Sequence, residues 1–161
     1  MKWYFDSSAL LKTVLNEPEA ENLVMAMELW RKQGDAFSTS VLSQVEVARS
    51  LSRIGIDQET EYERALSGMN FAEVSSSVIE VARSIGARGL RSLDAIHLAT
   101  AQLVRADVVV TYDERFIQSC MEAGVATARP GVGDIELPEG WEWLVYDDPE
   151  DDEPGDWTDW A

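Results

Sequence analysis

The chain has 161 residues, 45% hydrophobic and 27% charged, a length that supports a single hydrophobic core and a composition that excludes a wholly disordered polymer. Thirteen Lys and Arg against 30 Asp and Glu give a formal net charge of -17, which on its face opposes binding to phosphate polymers; one cysteine excludes an internal disulfide, and one histidine excludes His-rich zinc sites and most nucleophile-histidine arrangements. No apolar run approaches the roughly 18 to 20 residues that span a bilayer, and Asp6 cuts the N-terminal apolar run short, so a cytoplasmic protein with no membrane partner is expected.

Residues 2 to 5 (Lys-Trp-Tyr-Phe) read as a short strand, followed by a helix from Ser8 to Leu15. Glu17 to Lys32 reads as a second helix, with Pro18 in its first turn, Leu23, Met27 and Trp30 at helical spacing, and Gly34 as its stop. A strand over Ala36 to Thr39 precedes a helix from Val41 to Ile54, whose apolar side is expected to be Val41, Val45, Ala48 and Leu51. Gly55 ends that helix, and a more polar one covers Asp57 to Leu66. Phe71 to Val74 is a weak strand, Ser76 to Ala87 a helix, and Arg88-Gly89-Leu90-Arg91 a joint.

Ser92 has the chemistry of an N-cap for a helix running to Arg105. The β-branched run Val108-Val109-Val110 suits a strand buried on both faces. Asp113 to Ala123 is helical, with Phe116, Ile117, Cys120 and Met121 on one face, so Cys120 is expected in the core. Val125 to Ala128 is a candidate last edge strand. Strands alternating with helices predict an α/β domain with a largely parallel sheet.

Past Pro130 the composition changes. Residues 134 to 161 hold 12 of the 30 acids, no Lys or Arg, and four of the six tryptophans, leaving the rest of the chain with 18 acids against 13 bases, a net of -5. Two units are therefore expected: a folded domain over 1 to 133 and an acidic, Trp-rich tail over 134 to 161.

With His and Cys nearly absent, any chemistry must fall to carboxylates. Asp6 follows the first strand and Asp113 the Val-rich one, so both stand at carboxyl ends of parallel strands, where α/β proteins bind ligands. Glu46, between Val45 and Val47, and Asp94, between Leu93 and Ala95, sit in apolar stretches that imply partial burial. Each has an ordinary explanation: Asp94 as a helix-start acid, Asp113 as an N-cap, Asp6 as a strand-end residue, Glu46 as a solvated helix position. Taken together they need a cation, because unit charges about 4 Å apart repel by roughly 4 kcal/mol at an effective dielectric near 20. All-oxygen donors favour Mg²⁺ or Mn²⁺, and phosphodiester hydrolysis is the natural reaction.

The local strings sharpen this. Phe5-Asp6-Ser7-Ser8-Ala9-Leu10-Leu11-Lys12, Ser43-Gln44-Val45-Glu46-Val47-Ala48-Arg49, Leu93-Asp94-Ala95-Ile96-His97-Leu98-Ala99-Thr100-Ala101 and Thr111-Tyr112-Asp113-Glu114-Arg115-Phe116 occur in that order. They resemble the four acidic motifs of PIN-domain endoribonucleases of the VapC toxin type, with Pro130-Gly131 similar to the usual end. The resemblance implies a three-layer PIN-like fold with a small, mainly parallel central sheet flanked by helices, usually a homodimer. It implies Asp6, Glu46, Asp94 and Asp113 as catalytic acids and ligands of Mg²⁺ or Mn²⁺, with the hydroxyls of Ser7, Ser8 and Thr111 in support. It also implies an RNA substrate and a cognate antitoxin that inserts a segment at the site. His97 falls on a family position that is no metal ligand and reads as packing within its helix layer. Lys12, Arg49, Arg88 and Arg91 lie near the motifs and are candidate RNA phosphate contacts, with solvated surface charge as the plainer explanation.

Nothing in the motifs accounts for the tail. It is either a solubilising segment, a binding site for another protein, part of a general halophilic acidity (three Lys beside ten Arg), or an inhibitory arm in which Trp141 and Trp143 dock while Asp147 to Glu153 cover a basic rim. Two rivals to the nuclease stand. A phosphatase with Asp6 as nucleophile lacks the usual acid two positions on, where Ser8 stands, and a non-catalytic PIN-like module that binds RNA or protein does not require all four acids.

Overall fold

A computed structural model describes residues 1–56, 58–86 and 89–132. The expectations for the tail, and for Arg88, lie outside those residues. Five strands are described, β1 (Lys2–Phe5), β2 (Ala36–Ser40), β3 (Asn70–Ala72), β4 (Val108–Val110) and β5 (Ala126–Ala128), forming one sheet in the order β3-β2-β1-β4-β5. Every pairing is parallel. The order reverses direction at β1, which pairs with β2 on one side and β4 on the other, with Trp3 opposite both Phe37 and Val108. That reversal is the point at which open parallel sheets leave a crevice beyond their carboxyl ends.

Among the described residues seven helices complete three layers: α1 (Ser7–Lys12), α2 (Ala20–Lys32), α3 (Leu42–Ile54), α4 (Gln58–Leu66), α5 (Ser76–Ala82), α6 (Ser92–Leu103) and α7 (Glu114–Glu122). Side chains alternate across β1, so Trp3 and Phe5 point to one face and Tyr4 to the other. The first face packs against Leu10, Leu23, Met27, Val47 and Leu51 of α1, α2 and α3. The second packs against Leu98 and Ala101 of α6 and Phe116 and Cys120 of α7. Within β4, Val108 and Val110 join the first core and Val109 the second, so the unbroken Val run is buried on both faces as expected. Each such fully buried side chain contributes about 1.5–3 kcal/mol through removal from water. Cys120 is wholly buried, and burial pushes its thiol up.

Several local expectations are corrected. Helix α2 starts at Ala20 because Glu19 takes a left-handed backbone (φ 63°), which places Pro18 in the preceding turn instead of the helix. Ser92 is the first residue of α6; the cap is Arg91, whose backbone is extended and whose side chain makes no capping bond. Helix α5 ends at Ala82, well short of Ala87. On α3 the buried positions are Ser43, Val47 and Leu51, while Val45 is 56% exposed. The four-residue interval decides the face: Thr39 and Ser43 share a buried hydroxyl bond of 2.7 Å, and Thr39 donates to the Phe5 carbonyl at 2.7 Å, which turns Ser43 toward the sheet and Val45 away from it.

Candidate active site

Asp6 leaves β1 at its carboxyl end and begins α1 as its N-cap. Its Oδ1 accepts from the Ala9 amide at 2.9 Å and the Ser8 hydroxyl at 2.7 Å, and its Oδ2 accepts from the Thr111 hydroxyl at 2.6 Å. The residue is nearly sealed from solvent, and burial raises its carboxyl above the ordinary range even against these three donors and the opposing influence of His97.

Asp113 follows β4 and caps α7, accepting through Oδ1 from the amides of Arg115 at 2.8 Å and Phe116 at 3.2 Å. Its own amide donates to Thr111 Oγ1 at 3.1 Å. Thr111 thus links the two acids. Ser8 reinforces the link, since its oxygen accepts from the Tyr112 amide at 3.0 Å while its proton goes to Asp6. Both acids act as helix N-caps and both also line the pocket, so capping does not exclude a further role.

Glu46 and Asp94 arrive from helices. Glu46 lies about 60° round α3 from the inward-facing Ser43, at the edge of the buried stripe. Its side chain keeps 20% of its exposure, and Oε2 stands 2.7 Å from His97 Nε2. Asp94, in the first turn of α6, is half-buried; burial raises its carboxyl, and the neighbouring charge of Asp113 raises it further, against the lowering influence of Arg91 and His97.

All four acids line one pocket of about 310 Å³, together with Ser7, Ser8, Arg91 and His97. Ser7 lines it without a side-chain hydrogen bond among the described residues, whereas Ser8 and Thr111 hold Asp6 directly. Arg91 borders the pocket as an exposed cation, and Arg49 is exposed on α3. Lys12 is a correction. Its ammonium is buried, donates to the Pro18 carbonyl at 2.9 Å and to Glu19 at 3.2 Å, and lies 4.4 Å above the centre of the Tyr112 ring, so it clamps the left-handed turn before α2.

Sequence reasoning also missed what His97 and Tyr4 do. The imidazole is 2% exposed, and besides Glu46 it meets the Tyr4 hydroxyl at 2.7 Å through Nδ1. Tyr4 is fully enclosed, and burial, with the nearby Asp6 charge, pushes its phenol up, so the hydroxyl stays protonated. A signal was present: His97 is three residues beyond Asp94, a spacing that puts both on one side of a helix.

The donor set fits a hard divalent cation. It is all oxygen, and burial raises the carboxyls of Asp6 and Asp94, with the charges of Asp113 and Asp6 raising Asp94 further. Among the described residues no three such side chains stand close enough together to hold an ion as they are; the four acids line one pocket without forming a closed cage.

The PIN domain family matches residues 3–120. The chain is 40% identical over 132 residues to Ribonuclease VapC47 of Mycobacterium tuberculosis, covering 80% of this chain and 97% of that protein. It is 33% identical over 129 residues to Ribonuclease VapC46 of the same species, covering 79% and 96%. Among solved structures it is similar to a toxin-antitoxin complex from Klebsiella pneumoniae (26% identity, TM-score 0.54, 71% of this chain and 88% of that one). M. tuberculosis VapC20, a Sarcin-Ricin loop cleaving toxin, shares the fold at 17% identity with TM-score 0.60, over 80% of this chain and 99% of that one.

Proposed function

Because the chain belongs to the PIN-domain family, we propose that it is an endoribonuclease of the VapC toxin kind, with Asp6, Glu46, Asp94 and Asp113 as its catalytic and metal-holding acids. The observation that carries this reading is the convergence of all four on one pocket at the reversal point of the sheet, from positions as far apart as 6 and 113.

In this reading Asp6, held by three donors, and Asp113, held by two amides, are the fixed members of the set, and Glu46 and Asp94 complete it from helices. Mg²⁺ or Mn²⁺ bound there supplies positive charge for a non-bridging phosphate oxygen and lowers the pKa of a coordinated water. The chain's own contribution is position. Ser8 and Thr111 hold the Asp6 oxygens, the α7 amides hold Oδ1 of Asp113, and Arg91 at the rim offers its guanidinium to an RNA phosphate. Arg49 is a second candidate for such a contact on the α3 side.

Residues 1 to 133 then form the nuclease, and residues 134 to 161 an acidic segment appended to it. Two comparisons support an antitoxin partner: the Klebsiella complex, and VapBC2 from Rickettsia felis bound to a DNA fragment from its promoter. The latter matches in fold alone, at 14% identity with TM-score 0.58 over 74% of this chain and 93% of that one. Among the described residues no helix is long and apolar enough to cross a membrane. A homodimer acting on cytoplasmic RNA completes the reading.

The test is RNA cleavage by the purified chain. It should require Mg²⁺ or Mn²⁺, stop on chelation, and fall about a hundredfold or more in Asp6→Asn and in Asp94→Asn while both variants remain folded. Cleavage by both variants at the parent rate would remove the carboxylate site as the catalyst.

A further inference from the structure

His97 is the one buried titratable side chain of the pocket that the mechanism leaves unused. Its two ring nitrogens are both engaged at 2.7 Å, with Tyr4 on β1 and with Glu46 on α3. The three residues belong to different layers. Tyr4 and α6 share the second core, whereas α3 packs by Val47 and Leu51 into the first. The imidazole therefore reaches past the end of the sheet to an acid held by the opposite layer.

The direction of the His97–Glu46 bond follows from the inventory of protons. An ionised Glu46 has none to give, so Nε2 must carry a hydrogen and donate it. Nδ1 then either accepts from the Tyr4 hydroxyl or, in the imidazolium form, donates to it. Both forms aim Nε2–H at Oε2 of Glu46. A residue that only filled space would need neither bond; its ring already packs edge-on against Tyr4 and Phe116 at centroid distances of 5.9 and 6.4 Å.

We infer that His97 is a positioning residue for Glu46: anchored by Tyr4, its Nε2–H holds one carboxylate oxygen and thereby fixes where the other is presented to the pocket. Glu46 needs this more than Asp6 or Asp113 does. Asp6 and Asp113 are fixed by helix amides, but Glu46 stands mid-helix on a longer side chain, and His97 is its side-chain hydrogen-bond partner among the described residues. Loss of a hydrogen-bond partner that orients a ligating carboxylate typically costs about 10–100-fold in metal affinity. The inference rests on the metal-dependent nuclease reading of the same pocket.

The experiment is Mn²⁺ titration of the full chain by calorimetry, with RNA absent. His97→Phe should weaken Mn²⁺ binding about 10–100-fold. His97→Gln, whose amide nitrogen can take the place of Nε2, should keep most of the affinity. In a Glu46→Ala background, His97→Phe should make no further difference. Tyr4→Phe, which removes only the anchoring hydroxyl, should give a smaller loss in the same direction and serves if His97→Phe does not fold. Parent-like affinity in both His97→Phe and Tyr4→Phe overturns the positioning role, as does an equal loss in the Glu46→Ala background, which would mark a general structural effect. A parent chain that does not bind Mn²⁺ overturns the metal-dependent reading itself, and this inference with it.

Discussion

Asp6→Asn should make the metal-free protein more stable while abolishing its activity. The carboxylate is almost wholly buried and its charged form is disfavoured by that burial despite three hydrogen-bond donors. Asn is nearly isosteric. Its carbonyl oxygen can keep the Ser8 and Ala9 donors, and its amide can donate to Thr111 Oγ1 once that hydroxyl turns its own proton aside.

Two effects oppose each other. Neutralising the acceptor weakens three bonds, each by about 1 kcal/mol, the difference between charged and neutral hydrogen bonds. Removing the ion relieves a desolvation penalty of several kcal/mol. Since burial outweighs the donors in Asp6, the balance favours Asn. For a chain of this size each kcal/mol so gained raises Tm by roughly 2–4 °C.

The sign with pH follows. A raised folded-state carboxyl holds a proton that the unfolded chain has already lost, so the parent loses stability as pH rises from the ordinary value of 3.8 through the folded value. The advantage of Asn is therefore absent in acid and complete above that window. Divalent ions should reverse the order. At a hundred times its Kd, Mn²⁺ adds about 2.7 kcal/mol to the parent, and the variant, lacking a ligand, gains far less. Differential scanning fluorimetry between pH 4 and 8, with and without Mn²⁺, reads all of this. An Asp6→Asn protein that melts below the parent at every pH, or that gains as much from Mn²⁺, would refute the reasoning.

Three further variants separate structural cations from binding ones and test the hydroxyl that joins the acids. Lys12→Met should lower stability by about 1–3 kcal/mol in urea melts, by leaving the Pro18 carbonyl without its donor, yet leave the salt dependence of RNA binding unchanged. Arg91→Ala should do the opposite, holding Tm within about 2 °C while reducing the salt slope of binding by about 1. Thr111→Val, which conserves shape, should cost about 2–3 kcal/mol, because it removes a donor from Asp6 and orphans the Asp113 amide; cleavage should fall with it. Parent-like cleavage and melting in Thr111→Val would show that the link does not matter.

What was legible in the sequence is what depends on local order. Asp6 and Asp113 could be placed at strand ends because short apolar runs followed by helix signals fix the end of each strand, and Val108 to Val110 could be assigned to a buried strand from composition alone. What failed depends on contacts between distant segments. The inward face of α3 was misread because Val45 and Val47 are chemically alike, and only the Thr39–Ser43 bond tells which one turns in. Lys12 looked like a surface cation because nothing local shows that Glu19 adopts a left-handed turn beneath it. The spacing from Asp94 places His97 on the pocket side of α6, but its bonds join residues 93 and 51 positions away, and local sequence does not name those partners.

The parallel sheet also sets the order in which the protein becomes competent during synthesis. Asp6 leaves the ribosome early, but its Thr111 donor lies 105 residues downstream, and β1 must wait for Val108 to Val110 before its second neighbour exists. At about 5–20 residues per second the interval is roughly 5–20 s. Throughout it the nascent chain carries an acid of the site with neither its partner Asp113 nor the strand that fixes its position. If Asp6 and Asp113 are the catalytic acids as proposed, a chain interrupted before Thr111 should be inert, so premature termination would release no partial nuclease; RNA cleavage by a chain ending at residue 110 would contradict this.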